Sequence, residues 1–148
     1  MKLTKKSIYI LAILLVAAFA NCKKDKGGDT ESKDSSVESL PTFDLSGSPA
    51  QNLITVFEAG IAGLESNSND PAAAARELEK ILSAVSVDGL RAKAKSAKEA
   101  GQGATDDEKQ RLNAAMEKYK KLAASIGSQD PGAFNAAHTK WSAAFGVK

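Results

Sequence analysis

Hydrophobic and polar positions divide the chain into three textures. Residues 8–20 form an apolar run interrupted only by Tyr9, residues 21–47 are dominated by charged residues, Ser and Gly, and from Ser48 onward apolar positions recur at helical spacing. Ser48 as N-cap, Pro49 at the first helical position and Gln51 three residues after the cap begin a first helix with Leu53, Val56, Phe57, Ile61 and Leu64 on one face. Asp70-Pro71 restarts the pattern, and Ala74, Leu78, Ile81, Leu82 and Val85 keep its period. Asp88-Gly89 opens a shorter third helix with a thin stripe of Leu90, Ala94 and Ala97, closed by Gly101-Gln102-Gly103.

Thr105 and Glu108 form a capping box, and Asp106 and Asp107 sit where a helix dipole favours negative charge. Leu112, Ala115, Met116, Tyr119, Leu122 and Ile126 then mark a fourth helix up to Gly127. Asp130-Pro131 opens a fifth, with Phe134, His138, Trp141 and Phe145 on one side. No stretch alternates with the period of a strand, and Ala, the best helix former, is abundant. The expected fold is all-α: a small antiparallel bundle of four to five helices over residues 48–148, with short polar loops. Gly60 and Gly63 should let backbones approach closely. Ser68-Asn69-Asp70-Pro71 also echoes Ser128-Gln129-Asp130-Pro131, which reads either as a helical hairpin used twice or as ordinary recurrence of capping chemistry.

Between the apolar run and the first helix, only Val37, Leu40, Phe43 and Leu45 are available for burial. Residues 22–47 are therefore expected to be a disordered tether, since so little apolar surface does not offset chain entropy. The alternative is that Leu40-Pro41-Thr42-Phe43 docks on the helical domain.

The N-terminus has the layout of an export signal: Lys2, Lys5 and Lys6 precede the apolar run, and polarity returns at Asn21. Thirteen residues in a helix reach about 20 Å, short of the ~30 Å hydrocarbon core of a bilayer. The sole cysteine, Cys22, ends this segment and is followed by Lys23, Lys24, Asp25 and Lys26. Residues 1–26 resemble the signal and lipobox of bacterial lipoproteins. Phe19 and Asn21, where a Leu and a small residue are usual, resemble the relaxed lipobox of spirochaete lipoproteins. The resemblance implies cleavage after residue 21, diacylglycerol on the Cys22 thiol and acylation of the new amino group, so that residues 1–21 are removed. The two or three chains would anchor the protein firmly, where one chain binds only reversibly. In enteric lipoproteins an Asp directly after the cysteine directs inner-membrane retention; Lys23 stands there, which implies the outer membrane. The competing reading is an ordinary signal peptide cut after Ala18-Phe19-Ala20, leaving Cys22 as an unpaired thiol.

The chain of 148 residues has a formal charge of +2, which on its face describes a basic protein. Lys2, Lys5 and Lys6 stand in a stretch without acidic residues; without them 17 basic residues face 18 acidic ones, a net −1. That balance, together with the export signal and no interleaving of aromatic with basic residues, argues against a nucleic-acid partner.

No arrangement of nucleophile and base, paired acid and base, metal ligands or cofactor cradle is legible, so neither catalysis nor a metal or cofactor is expected. Cys22 is taken by the anchor. His138 is the sole histidine, which excludes two-histidine zinc motifs; it reads as a packing residue, or else as a ligand-contacting or proton-sensing one. Asp106, Asp107 and Glu108 lack the alternating loop of a calcium site and read as capping residues. Arg91, Lys95 and Lys98 cluster on one side of the third helix, forming either a contact face for an anionic surface or partner, or a solvated face. Trp141, Phe145 and His138 read as core, or as a groove for a partner or apolar ligand if Trp141 is exposed. The expectation is a membrane-anchored lipoprotein carrying a non-enzymatic helical interaction module with an unidentified protein or surface partner. The alternative is a periplasmic carrier or chaperone-like module holding an apolar ligand between helices.

Overall fold

A computed structural model describes residues 39–147. The segment 1–21 expected to direct export, Cys22 and residues 23–38 of the expected tether lie outside the described residues. Within them the chain is all-helical: α1 (Pro49–Ser66), α2 (Pro71–Ala84), α3 (Val87–Glu99), α4 (Asp106–Gln129) and α5 (Pro131–Phe145).

Each helix starts where a side chain satisfies an otherwise orphaned backbone N–H. Ser48 accepts from the Gln51 N–H, Asp70 from Ala73 and Asp130 from Ala133, all three followed by Pro at the first helical position. Thr105 and Glu108 form the full reciprocal capping box. α3 departs from expectation, with Ser86 rather than Asp88 as its N-cap and Val87 buried in its first turn. α4 runs through Gly127 to Gln129, and Asp130 serves as both its C-cap and the N-cap of α5. Gly127 does not stop the helix; its bare face lies against the Phe134 ring.

Helices consecutive in a hairpin run antiparallel. Gly63 faces Glu77 across α1–α2, and Tyr119 meets His138 while Gly127 meets Phe134 across α4–α5. The two hairpins stack with like helices side by side. Contacts from Ser48 Oγ to Glu108 Oε1 (2.7 Å), Lys118 Nζ to Glu65 Oε1 (2.9 Å) and Gln129 Nε2 to the Ser68 carbonyl (2.8 Å) advance together along α1 and α4, which are therefore parallel. α2 packs most extensively on α5, and Lys140 reaches Glu79 at 2.6 Å, with each residue nine or ten positions beyond its Asp-Pro cap. Such stacking leaves the end of α2 far from the start of α4 for a tight turn. α3 bridges them, packing on α1 and α5 rather than on its chain neighbours.

The core is one cluster at the meeting of α1, α2, α4 and α5, with Phe57, Leu64, Leu78, Tyr119, Ile126, Phe134 and Trp141 at its centre. Each large apolar side chain withdrawn there contributes about 1.5–3 kcal/mol.

The expected tether boundary moves. Phe43 and Leu45 pack against the core, while Asn52 Nδ2 donates to the carbonyls of Leu45 (2.9 Å) and Gly47 (3.2 Å). Leu40, although 55% exposed, sits beside Asn67, Ala73 and Glu77 at the far end of α1. Residues 40–47 thus run back along the bundle; within Leu40-Pro41-Thr42-Phe43, Phe43 packs against the core and Leu40 stays exposed. Two inward side chains and one amide that satisfies two carbonyls hold a segment whose composition alone reads as unfolded.

Candidate functional site

Trp141 is fully buried. Its ring lies against Gly60 of α1 and among Phe57 (centroids 6.0 Å apart), Tyr119 (6.2 Å) and Phe145 (4.6 Å). A groove presenting Trp141 is therefore corrected to a core centred on it, because the missing Cβ of Gly60 gives the indole an inward place. Phe145 is half-buried and stacks edge-on against Phe57 at 5.0 Å.

His138 has a different fate from Trp141. It is half-buried, stacked on Tyr119 and Phe134, with Nδ1 2.7 Å from the Tyr119 hydroxyl. Burial holds the imidazole below its ordinary value and pushes the Tyr119 phenol up to about 12, the Ser142 hydroxyl opposing the latter shift. With a protonated phenol beside a neutral imidazole, the direction of this bond follows the tautomer: the Tyr119 hydroxyl donates to Nδ1 when the ring proton is on Nε2 and accepts when it is on Nδ1.

This pair lies in the wall of an open groove of about 770 Å³ along the outer side of α4 and α5. Its surface is built from small side chains, among them Ala123, Ala124, Gly127 and Ala143, with Asn135, Thr139 and Ser142 as polar handles. All lining residues come from α4, α5 and the two residues after α5, so neither α3 nor residues 39–47 covers it.

The basic face of α3 divides. Arg91 turns to the end of α5, where Nη1 donates to the Ala144 carbonyl at 3.0 Å beside Gly146, which caps that helix in the left-handed conformation. A cation at a helix C-terminus is favourable, and this one acts within the fold. Lys95 and Lys98 remain exposed, Lys95 being loosely paired with Glu99 at 3.9 Å. They form the rim of a second groove, about 320 Å³, between α1, α3 and α4, floored by Leu53, Ile54, Ala94, Ala97 and Leu112. Lys109 stands on the opposite rim. The sequence contains every one of these residues, but the groove depends on α3 crossing the end of the bundle, which no local pattern encodes.

In the acidic run at the start of α4, Glu108 completes the capping box and Asp106 pairs with Lys109. Lys109 holds Asp106 at 2.8 Å, lowering its pKa, and Glu108 is lowered by the Ser48 hydroxyl and the Thr105 N–H. Among the described residues no group of three or more His, Cys, Asp or Glu is placed to hold a metal ion, and no helix is long and apolar enough to cross a membrane. Gly101, at φ 76°, ends α3 as a turn residue. Compared with protein-family models, with curated proteins and with solved structures, the chain matches none.

Proposed function

We propose that the chain is a lipoprotein anchored in the outer membrane through Cys22, and that its helical bundle is a non-enzymatic interaction module whose contact surface is the α4–α5 groove. The uncovered groove carries this reading. The inner faces of α4 and α5 pack on α1 and α2, whereas along this outer groove small side chains leave backbone close to the surface under Ala124, Gly127 and Ala143. Small side chains allow another helix to approach closely, and His138, Thr139 and Ser142 offer hydrogen bonds that fix its register. The membrane assignment rests on the apolar segment, the position of Cys22 and Lys23 after it.

The test is site-specific photocrosslinking in intact cells. A crosslinker at Ala124 or Ala143 should give one discrete adduct, absent when the same group replaces the exposed Ala72 on α2 and lost in Ala124→Arg. Equal labelling from all three positions would eliminate the groove as a contact surface. Cys22→Ala should abolish fatty-acid labelling and release the protein from the membrane fraction; unchanged labelling refutes the anchor.

A further inference from the structure

The groove at the end of the bundle is separate from the α4–α5 surface and has a different character. Its floor is continuous apolar side chain from three helices: Leu53 and Ile54 of α1, Ala94 and Ala97 of α3, and Leu112 of α4. The alanines of α3 are too short to fill the space over Leu53 and Leu112, so the contact between α3 and the bundle stays open where larger residues would close it. Apolar surface left in this way lacks dispersion partners that a hydrocarbon chain supplies.

The polar lining residues are mostly cationic: Lys95, Lys98 and Lys109, beside neutral Gln102 and one carboxylate, Glu108. Both carboxylate oxygens of Glu108 are engaged, Oε1 accepting from Ser48 Oγ at 2.7 Å and Oε2 from the Thr105 N–H at 2.8 Å. Lys109 is held by Asp106. Lys98 makes no salt bridge among the described residues; its stem lies against Gly103, and the residue lines the groove. Lys95 lies one turn away and has only its solvent-screened pairing with Glu99. Two solvent-exposed lysines of α3 thus line the same groove as the apolar floor.

We infer that this groove binds a medium-chain fatty acid, its tail along Leu53, Ile54 and Leu112 and its carboxylate met by Lys98 and Lys95. The volume of 320 Å³ lies at the lower edge of the range of roughly 300–1,000 Å³ typical of ligand sites, which fits one chain rather than a two-chain lipid. The carboxylate gains charge-assisted hydrogen bonds from lysines that need no rearrangement of the bundle.

Calorimetric titration of decanoate into the full lipidated chain in nanodiscs of zwitterionic lipid, with empty nanodiscs as the blank, tests this. Saturable binding at one site is expected, with 1-decanol at least tenfold weaker. Lys98→Glu should weaken decanoate tenfold or more, and Lys98→Met, which keeps the stem, severalfold. Leu53→Trp, which fills the slot, should abolish binding; if that variant fails to fold, the two exposed Lys98 variants decide. No saturable heat above the blank, decanol binding as tightly as decanoate, or unchanged affinity in both Lys98 variants overturns the inference. None of these outcomes bears on the crosslinks from Ala124 and Ala143.

Discussion

The indole of Trp141 rests on the backbone of Gly60, in space that a Cβ at that position would require. Replacing Gly60 by Ala would normally favour a helix, by about 0.5–1 kcal/mol. Here the added methyl meets a rigid ring with Phe57, Tyr119 and Phe145 around it. Overpacking of this kind costs about 1–3 kcal/mol, so Gly60→Ala should lower the urea midpoint at unchanged m-value. In a Trp141→Phe background the smaller ring leaves room, and the same substitution should cost far less. A coupling near zero in this double-mutant cycle would show that the two residues do not share that space.

The capping box at the start of α4 makes a second, independent prediction. Thr105 Oγ1 accepts from the Glu108 N–H at 3.2 Å, and Glu108 returns the bond to the Thr105 N–H. Thr105→Ala removes one acceptor while leaving the Glu108 carboxylate in place. A loss of about 0.5–2 kcal/mol is expected, with Thr105→Ser close to the parent. The midpoints of urea denaturation for the three proteins check it.

Arg91 and the two α3 lysines should separate cleanly by assay. Arg91 Nη1 bonds a carbonyl at the end of α5, so Arg91→Met, which keeps most of the stem, should lower stability by about 0.3–1 kcal/mol. The pair Lys95→Gln and Lys98→Gln, exposed and unburdened by the fold, should leave the melting temperature where it is. A melting temperature that falls as far for the lysine pair as for Arg91→Met would contradict this division.

The helix starts were the most legible part of the fold because each is local chemistry: Ser48-Pro49, Asp70-Pro71, Thr105 with Glu108, and Asp130-Pro131 act within four residues. The apolar faces were equally plain, and Leu78, Tyr119 and Phe134 lie in the core where their spacing puts them. Partners distant in sequence were not legible. Gly60 reads as a close approach between backbones, whereas what fills its gap is a side chain from α5. Arg91 reads with Lys95 and Lys98 as one face, yet its partner is the Ala144 carbonyl, 53 residues away. The docking of Phe43 and Leu45 depends on carbonyls satisfied by Asn52, and the α4–α5 groove is made by alanines that carry no signature of their own.

The burial of His138 and Tyr119 makes stability depend on pH at two ends. Burial depresses the folded-state pKa of His138 below 6.5, so near pH 6.5 the unfolded chain takes up a proton before the folded chain does. The contribution is complete above that value, declines as the pH falls through it, and levels off once the folded-state imidazole is protonated as well. Tyr119 acts in the opposite direction: with its phenol raised from 10.0 to about 12, the unfolded chain ionises first and stability falls as the pH climbs between those values. Urea midpoints from pH 5 to 8 should therefore rise with pH in the parent. They should be flat over the same interval in His138→Gln, whose amide oxygen can still accept from the Tyr119 hydroxyl. A slope that survives in His138→Gln assigns the dependence to other groups, while tyrosinate absorbance appearing for Tyr119 near pH 10 in the folded protein would contradict its burial.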